Sequence, residues 1–177
     1  MFYVNANGTW GSYTMTNNDV LRRLRYALDY NDEKMLKLFS LLGVEVKRAQ
    51  LCSWMKSNDD DDYQSMQDRE LAIFLNALIV DKRGAVEGGP PEPENRLNNN
   101  LILRKLKIAF KLQSEAMIDL IQLGGLKIGP HELSAFFRAK KHKHYRECKD
   151  QVLRRFLQGL QEKLRPKSEF VWPDLKK

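Results

Sequence analysis

Sliding the 177-residue chain along itself by 82 positions lays residues 17–83 on residues 99–165 without a gap. Asn17 and Asn18 fall on Asn99 and Asn100, Leu21 and Arg22 on Leu103 and Arg104, and Leu24 and Ala27 on Leu106 and Ala109. Glu33, Met35, Leu38, Leu41 and Gly43 meet Glu115, Met117, Leu120, Leu123 and Gly125, and Leu51, Tyr63 and Asp68 meet Leu133, Tyr145 and Asp150. The last stretch agrees best: Leu71, Phe74, Leu75 and Leu78 fall on Leu153, Phe156, Leu157 and Leu160, with Trp54 opposite Phe136. Such a tandem duplication requires two units of the same fold, and positions that stay apolar in both mark the core.

Spacing within each unit gives the local structure. Leu21, Leu24 and Leu28 recur at the helical period, with Asn18 or Asp19 as N-cap, which predicts a helix over 19–29. A second helix is expected from an Asp32 cap to about Leu42, stopping at Gly43, a third over 47–56, and a fourth from Asp68 to just before Gly84. The same pattern predicts helices over 100–112, 114–123, 130–138 and 149–164, Pro130 being tolerated in a first helical turn. Nothing reads as a strand. The expected fold is all-α, two tandem four-helix repeats of period 82 packed by pseudo-twofold symmetry. The parts are an N-terminal extension (1–16), expected to be disordered, repeat one (17–83), a Pro/Gly-rich linker (84–98), repeat two (99–165) and a C-terminal tail (166–177).

A chain of this length with 42% apolar residues can bury a substantial core. No run approaches the length of a membrane span, and the opening MFYVNANGTWGSYTM lacks the basic start and apolar block of a signal peptide. Cys52 and Cys148 form no disulfide framework. A cytoplasmic protein without membrane contact is expected.

The segments RELAIFLNALIVDKRG, PPEPENRLNNNLILRKLKIA, HELSAFFR and YRECKDQVLRRFLQGL resemble the YehS-like family of bacterial proteins, which carry a duplicated helical domain of unknown function. The resemblance covers about residues 16–166. It implies the duplication and the helical fold, and it brings no activity, cofactor or catalytic residue. It also implies that the family pattern starts near Met15, leaving residues 1–14 upstream of it.

Where the copies differ, each shows what it was free or required to do. Residues 17–83 hold 11 basic and 12 acidic residues, whereas residues 99–165 hold 15 basic and 6 acidic. The contrast is sharpest between the third and fourth helices, where Asp59-Asp60-Asp61-Asp62 aligns with Lys141-His142-Lys143-His144. On the first helix of repeat two, Arg104, Lys107 and Lys111 make a basic stripe flanked by Lys105. Lys140, Lys141, Lys143, Arg146, Lys149, Arg154 and Arg155 extend the set, enough to neutralise several phosphates if they converge. A solvated, solubilising face is the plain alternative. Tyr145 either stacks a base or, as the matching Tyr63 suggests, packs.

His142, His144 and Cys148 are candidate zinc ligands, although their counterparts Asp60, Asp62 and Met66 break the pattern, so no metal is expected. The aspartate run lacks the glycine and terminal glutamate of a calcium loop. No phosphate loop, nucleophile elbow, zinc-protease helix or dinucleotide fingerprint occurs. Glu33, Glu115, Asp68 and Asp150 fall in first helical turns, where acids stabilise the helix dipole. A non-catalytic module without cofactor is expected, binding RNA or DNA through repeat two. The alternatives are protein interaction or homo-oligomer assembly through the acidic and basic loops, and an enzyme of unassigned activity.

Overall fold

The computed structural model describes residues 14–84 and 88–165, and among them eight α-helices and no strand. Repeat one contains α1 (Asn17–Leu28), α2 (Asp32–Leu41), α3 (Arg48–Met55) and α4 (Asp68–Arg83). Repeat two contains α5 (Asn99–Ala109), α6 (Ser114–Leu123), α7 (Pro130–Phe136) and α8 (Asp150–Leu164). The expectation of disorder for residues 1–13, and the tail at 166–177, lie outside the described residues. Met15 and Thr16, assigned to the extension from sequence, belong to the fold: Thr16 caps α1, and the Met15 N–H donates to Asp150.

The caps sit upstream of where the sequence suggested. A cap needs extended backbone with a side-chain oxygen reaching into the first turn, and Thr16, Asn31 and Asn98 supply it for α1, α2 and α5. Asn18, Asp19 and Asp32 are already helical. Helix α5 ends at Ala109 rather than 112 because Lys111 takes a left-handed conformation, as Asp29 does after α1.

Helix α4 is buried on all sides from Leu71 to Leu78, since α1 and α2 pack on it from its own repeat and α5 from the other. One apolar cluster runs through both repeats. The seam between them is reciprocal: α1 packs on α8, and α5 packs on α4. Under the repeat alignment α1 corresponds to α5 and α8 to α4, so each contact is the image of the other. A stack of repeats would place one face of the first copy on a different face of the second, whereas reciprocity closes the pair about a pseudo-twofold axis.

The two cores are filled differently. In repeat one Phe39 lies 5.7 Å from both Trp54 and Phe74, ring centre to ring centre. Repeat two has the smaller Ile121 and Phe136 at the positions of Phe39 and Trp54, and it also has Gly124 and Gly159 where repeat one has Leu42 and Ala77. The glycines let α6 and α8 close over the reduced core: a Cβ on Gly159 would lie 1.8 Å from the Leu120 carbonyl oxygen, and one on Gly124 would lie 1.9 Å from that of Arg155. Backbone proximity compensates for lost side-chain volume.

The described part of the linker, 88–98, is fastened down. Asn76 donates to the Pro91 carbonyl, Arg69 donates to Asn95, and the Leu97 N–H donates to Asp68.

Candidate nucleic-acid interface

The loops joining the third and fourth helix of each repeat share one backbone design. In repeat one the Asp60 N–H donates to the Ser57 carbonyl, the Tyr63 N–H to that of Asp60, and the Asp62 N–H to the Asp60 carboxylate. In repeat two the His142 N–H donates to the Ala139 carbonyl, the Tyr145 N–H to that of His142, and the His144 N–H to Nδ1 of His142. Every partner has its counterpart 82 positions on. The same turn therefore presents opposite charges.

A buried asparagine fixes each loop. Asn100, at 6% exposure, donates from Nδ2 to the carbonyls of Phe136 (2.9 Å) and Arg146 (2.8 Å) and accepts the Cys148 N–H (3.0 Å). Asn18, fully buried, donates to Trp54 and Gln64 and accepts from the Met66 N–H and the Tyr63 hydroxyl. A buried amide that meets its partners this fully holds the loop ends at fixed spacing from the first helix. This role for Asn18 and Asn100 was not foreseen from sequence, where Asn18 read as a candidate helix cap and Asn100 only as its matched position.

The surroundings of the loops differ in electrostatics. In repeat one the cations are held by acids of the same repeat: Arg22 by Asp19 at 2.7 Å, Arg25 by Asp32 at 2.7 Å, Arg48 by Asp32 at 3.6 Å, and Lys56 by Asp60 at 2.9 Å and Asp62 at 2.6 Å. The hydrogen bonds that Lys56 donates to Asp62 and Asp60 push its pKa up, and Lys56 in turn pulls that of Asp60 down. In repeat two the positions of Arg22, Arg25 and Lys56 carry Arg104, Lys107 and Arg138, whereas those of Asp19, Asp32, Asp60 and Asp62 carry Leu101, Ser114, His142 and His144. Three of the four cations persist, Arg48 alone giving way to Pro130, while their acids are gone.

These groups lie close together. Arg104 is exposed and donates to the Phe137 carbonyl at 2.7 Å, and the Lys107 ammonium sits 4.9 Å from the centre of the Phe137 ring. Next in sequence, Arg138 enters a depression of about 560 Å³ lined also by His131, Glu132, Lys143, His144, Tyr145 and Arg146. Lys140 and Lys141 are exposed on the same loop, and Lys111 is exposed at the end of α5. Arg138 escaped the sequence reading, although it had a signal in that Lys56 keeps the positive charge in repeat one.

Other candidates are placed elsewhere. Lys105, expected to flank the basic stripe, is 6% exposed and sits between the repeats, donating to Asn76 and lying 2.9 Å from Glu94. The reason is helical phase: Ile102, Leu106 and Ala109 are buried, and Lys105 shares their face. Arg155 is half-buried and donates to the Gly124 carbonyl and to Gln158, joining α8 to the end of α6. Arg154, beside it on α8, is half-buried and engaged. Lys149 is exposed and lies 3.2 Å from Glu147. His142 and His144 have exposed rings 5.7 Å apart, whereas Cys148 is buried and its thiol pKa is pushed up to about 12 by burial, with Asp150 adding to the effect. Among the described residues no three His, Cys, Asp or Glu side chains converge as a metal site. No described helix is long and apolar enough to cross a membrane.

A family model described as "Protein of unknown function (DUF1456)" matches twice, at residues 17–84 and 99–165. The chain is 40% identical over 147 residues to the uncharacterized protein YehS of Escherichia coli (strain K12), covering 82% of this chain and 94% of that protein. No solved structure matches it. Two matched copies in tandem and this identity place the chain in the YehS-like family of duplicated helical proteins.

Proposed function

We propose that repeat two binds the phosphate backbone of RNA or DNA through Arg104, Lys107, Arg138, Lys140, Lys141, Lys143 and Arg146. The observation that carries this reading is the internal comparison: one loop design and one set of cationic positions occur twice, with acids in place in repeat one and replaced in repeat two. Cations that meet no acid among the described residues leave a positive potential that condensed phosphate charge satisfies by releasing counterions. A merely solubilising surface does not require the acids to vanish at the positions that face the cations.

Docking of the acidic loop on the basic loop draws less support, because Lys56 already engages Asp60 and Asp62. A catalytic reading also draws less support: Glu132 is the one carboxylate among the groups that line the depression. The test is fluorescence polarisation with labelled RNA and DNA from low to moderate salt. Affinity is expected to fall steeply with salt, and K140A/K141A/K143A/R146A to bind more weakly with a shallower slope. Absence of binding to every probe at low salt would overturn the reading.

A further inference from the structure

Tyr63 and Tyr145 occupy the same place in the same turn, yet they are held differently. The Tyr63 hydroxyl donates to Oδ1 of the buried Asn18 at 3.1 Å, which ties the ring to its repeat's interior. In repeat two Oδ1 of Asn100 accepts the Cys148 N–H, and the Tyr145 hydroxyl has no hydrogen-bond partner among the described residues. Half-buried, Tyr145 lines the depression with Arg138, Lys143 and Arg146 around it. The acidic copy latches its tyrosine, and the basic copy leaves it unlatched among cations.

We infer that the depression of repeat two is a single-strand site, in which Tyr145 stacks an unpaired base while Arg138, Lys143 and Arg146 take the flanking phosphates. The inference rests on the proposed backbone binding and adds what is bound. A concave, basic recess with an aromatic ring admits a splayed nucleotide, whose base offers a π-face and whose backbone tracks the charges. A duplex keeps its bases stacked and offers the recess only its phosphates; reading its major groove takes a protruding helix or ribbon. Helix α7, beside the recess, has seven residues, and Asn100 ties its end at Phe136 to α5, so it is a wall rather than a probe.

The experiment compares a labelled single strand of about 12 nucleotides, within the usual site sizes, with the blunt duplex of the same sequence. The wild type is expected to prefer the single strand at least tenfold. Tyr145→Ala is expected to lose about tenfold on the single strand with its salt slope unchanged, whereas Tyr145→Phe keeps wild-type affinity because the ring remains. An iodouridine-substituted strand is expected to crosslink at Tyr145, which reads the site in the unmutated protein. Equal or tighter duplex binding, a folded Tyr145→Ala of wild-type affinity, or crosslinks confined to other regions would each overturn the single-strand site while leaving backbone binding standing. No binding to either probe would overturn both.

Discussion

The Met15 N–H donates to Oδ2 of Asp150 at 2.8 Å across 135 residues of chain, and in the other copy the Leu97 N–H donates to Oδ2 of Asp68 at 2.9 Å. Each aspartate also accepts from an asparagine of its own repeat, Asp150 from Asn99 at 2.7 Å and Asp68 from Asn17 at 2.8 Å. Both acids stand in the first turn of their helix, as expected for dipole stabilisation. They also clasp the repeats together, each receiving the backbone that leads into the other copy's first helix.

An aspartate facing two N–H donors is poorly replaced by asparagine, whose amide offers one acceptor oxygen and turns an NH₂ toward the second donor. Asp68→Asn and Asp150→Asn are each expected to cost about 1–3 kcal/mol in urea unfolding, the range for a buried group left unsatisfied. Equal losses for the two variants would reflect their symmetry, and losses under about 0.5 kcal/mol would dismiss the clasp.

The approach of α6 to α8 gives a prediction of opposite sign to helix propensity. Alanine at position 159 would gain up to about 1 kcal/mol as a helix former, but its Cβ would lie 1.8 Å from the Leu120 carbonyl oxygen. Carbonyl oxygens of a packed helix do not swing away as a side chain does, so the helices must separate. Gly159→Ala is therefore expected to lower stability by about 2 kcal/mol or more, in the upper range of overpacking.

Leu75 and Leu157 are both 1% exposed at matching positions of α4 and α8. Truncation of either to alanine is expected to cost about 2–5 kcal/mol, measured as a shift in denaturation midpoint at unchanged slope.

Asp19 is one carboxylate through which acid should weaken the fold. Burial, the largest single influence, pushes its pKa up, but hydrogen bonds from the Thr16 N–H, Arg22 and the Thr16 hydroxyl together bring it below the usual value. A carboxyl with a lowered folded-state pKa stabilises the fold above its unfolded pKa, and that contribution fades as pH falls through the folded value. Asp19→Asn should therefore be less stable than wild type at neutral pH, with the difference shrinking below about pH 4. A difference independent of pH would mean the loss comes from the capping geometry alone.

Most of the helical architecture was legible because Leu, Phe and Met positions repeat at helical spacing in both copies, and each copy checks the other. Caps were misplaced because Asn18 has a cap's chemistry but directs its amide to the Trp54 and Gln64 carbonyls, 36 and 46 residues away. No local pattern reveals such partners. Lys105 is a different case: positions 102, 105, 106 and 109 form one helical face, so its burial was legible in the periodicity and was obscured by its charge. Arg104 and Lys107 lie off that face, where Arg104 reaches the Phe137 carbonyl and Lys107 its ring.

That distinction yields a test separating charge count from charge location. Lys105 is desolvated between α5, Asn76 and Glu94, so it has no route to a phosphate, whereas Lys143 is exposed on the basic loop. Removing either lowers the net charge by one. If repeat two binds a nucleic-acid backbone, Lys143→Ala should weaken binding and reduce the salt slope by about 0.7–0.9, one contact's worth. Lys105→Met, which fills the space of the lysine stem without its charge, should leave affinity and slope unchanged. It should cost stability, because Glu94 and the Asn76 side-chain oxygen lose their partner, so binding is compared on protein shown to be folded. Matching slope reductions in the two variants would mean that binding responds to overall charge rather than to the repeat-two surface.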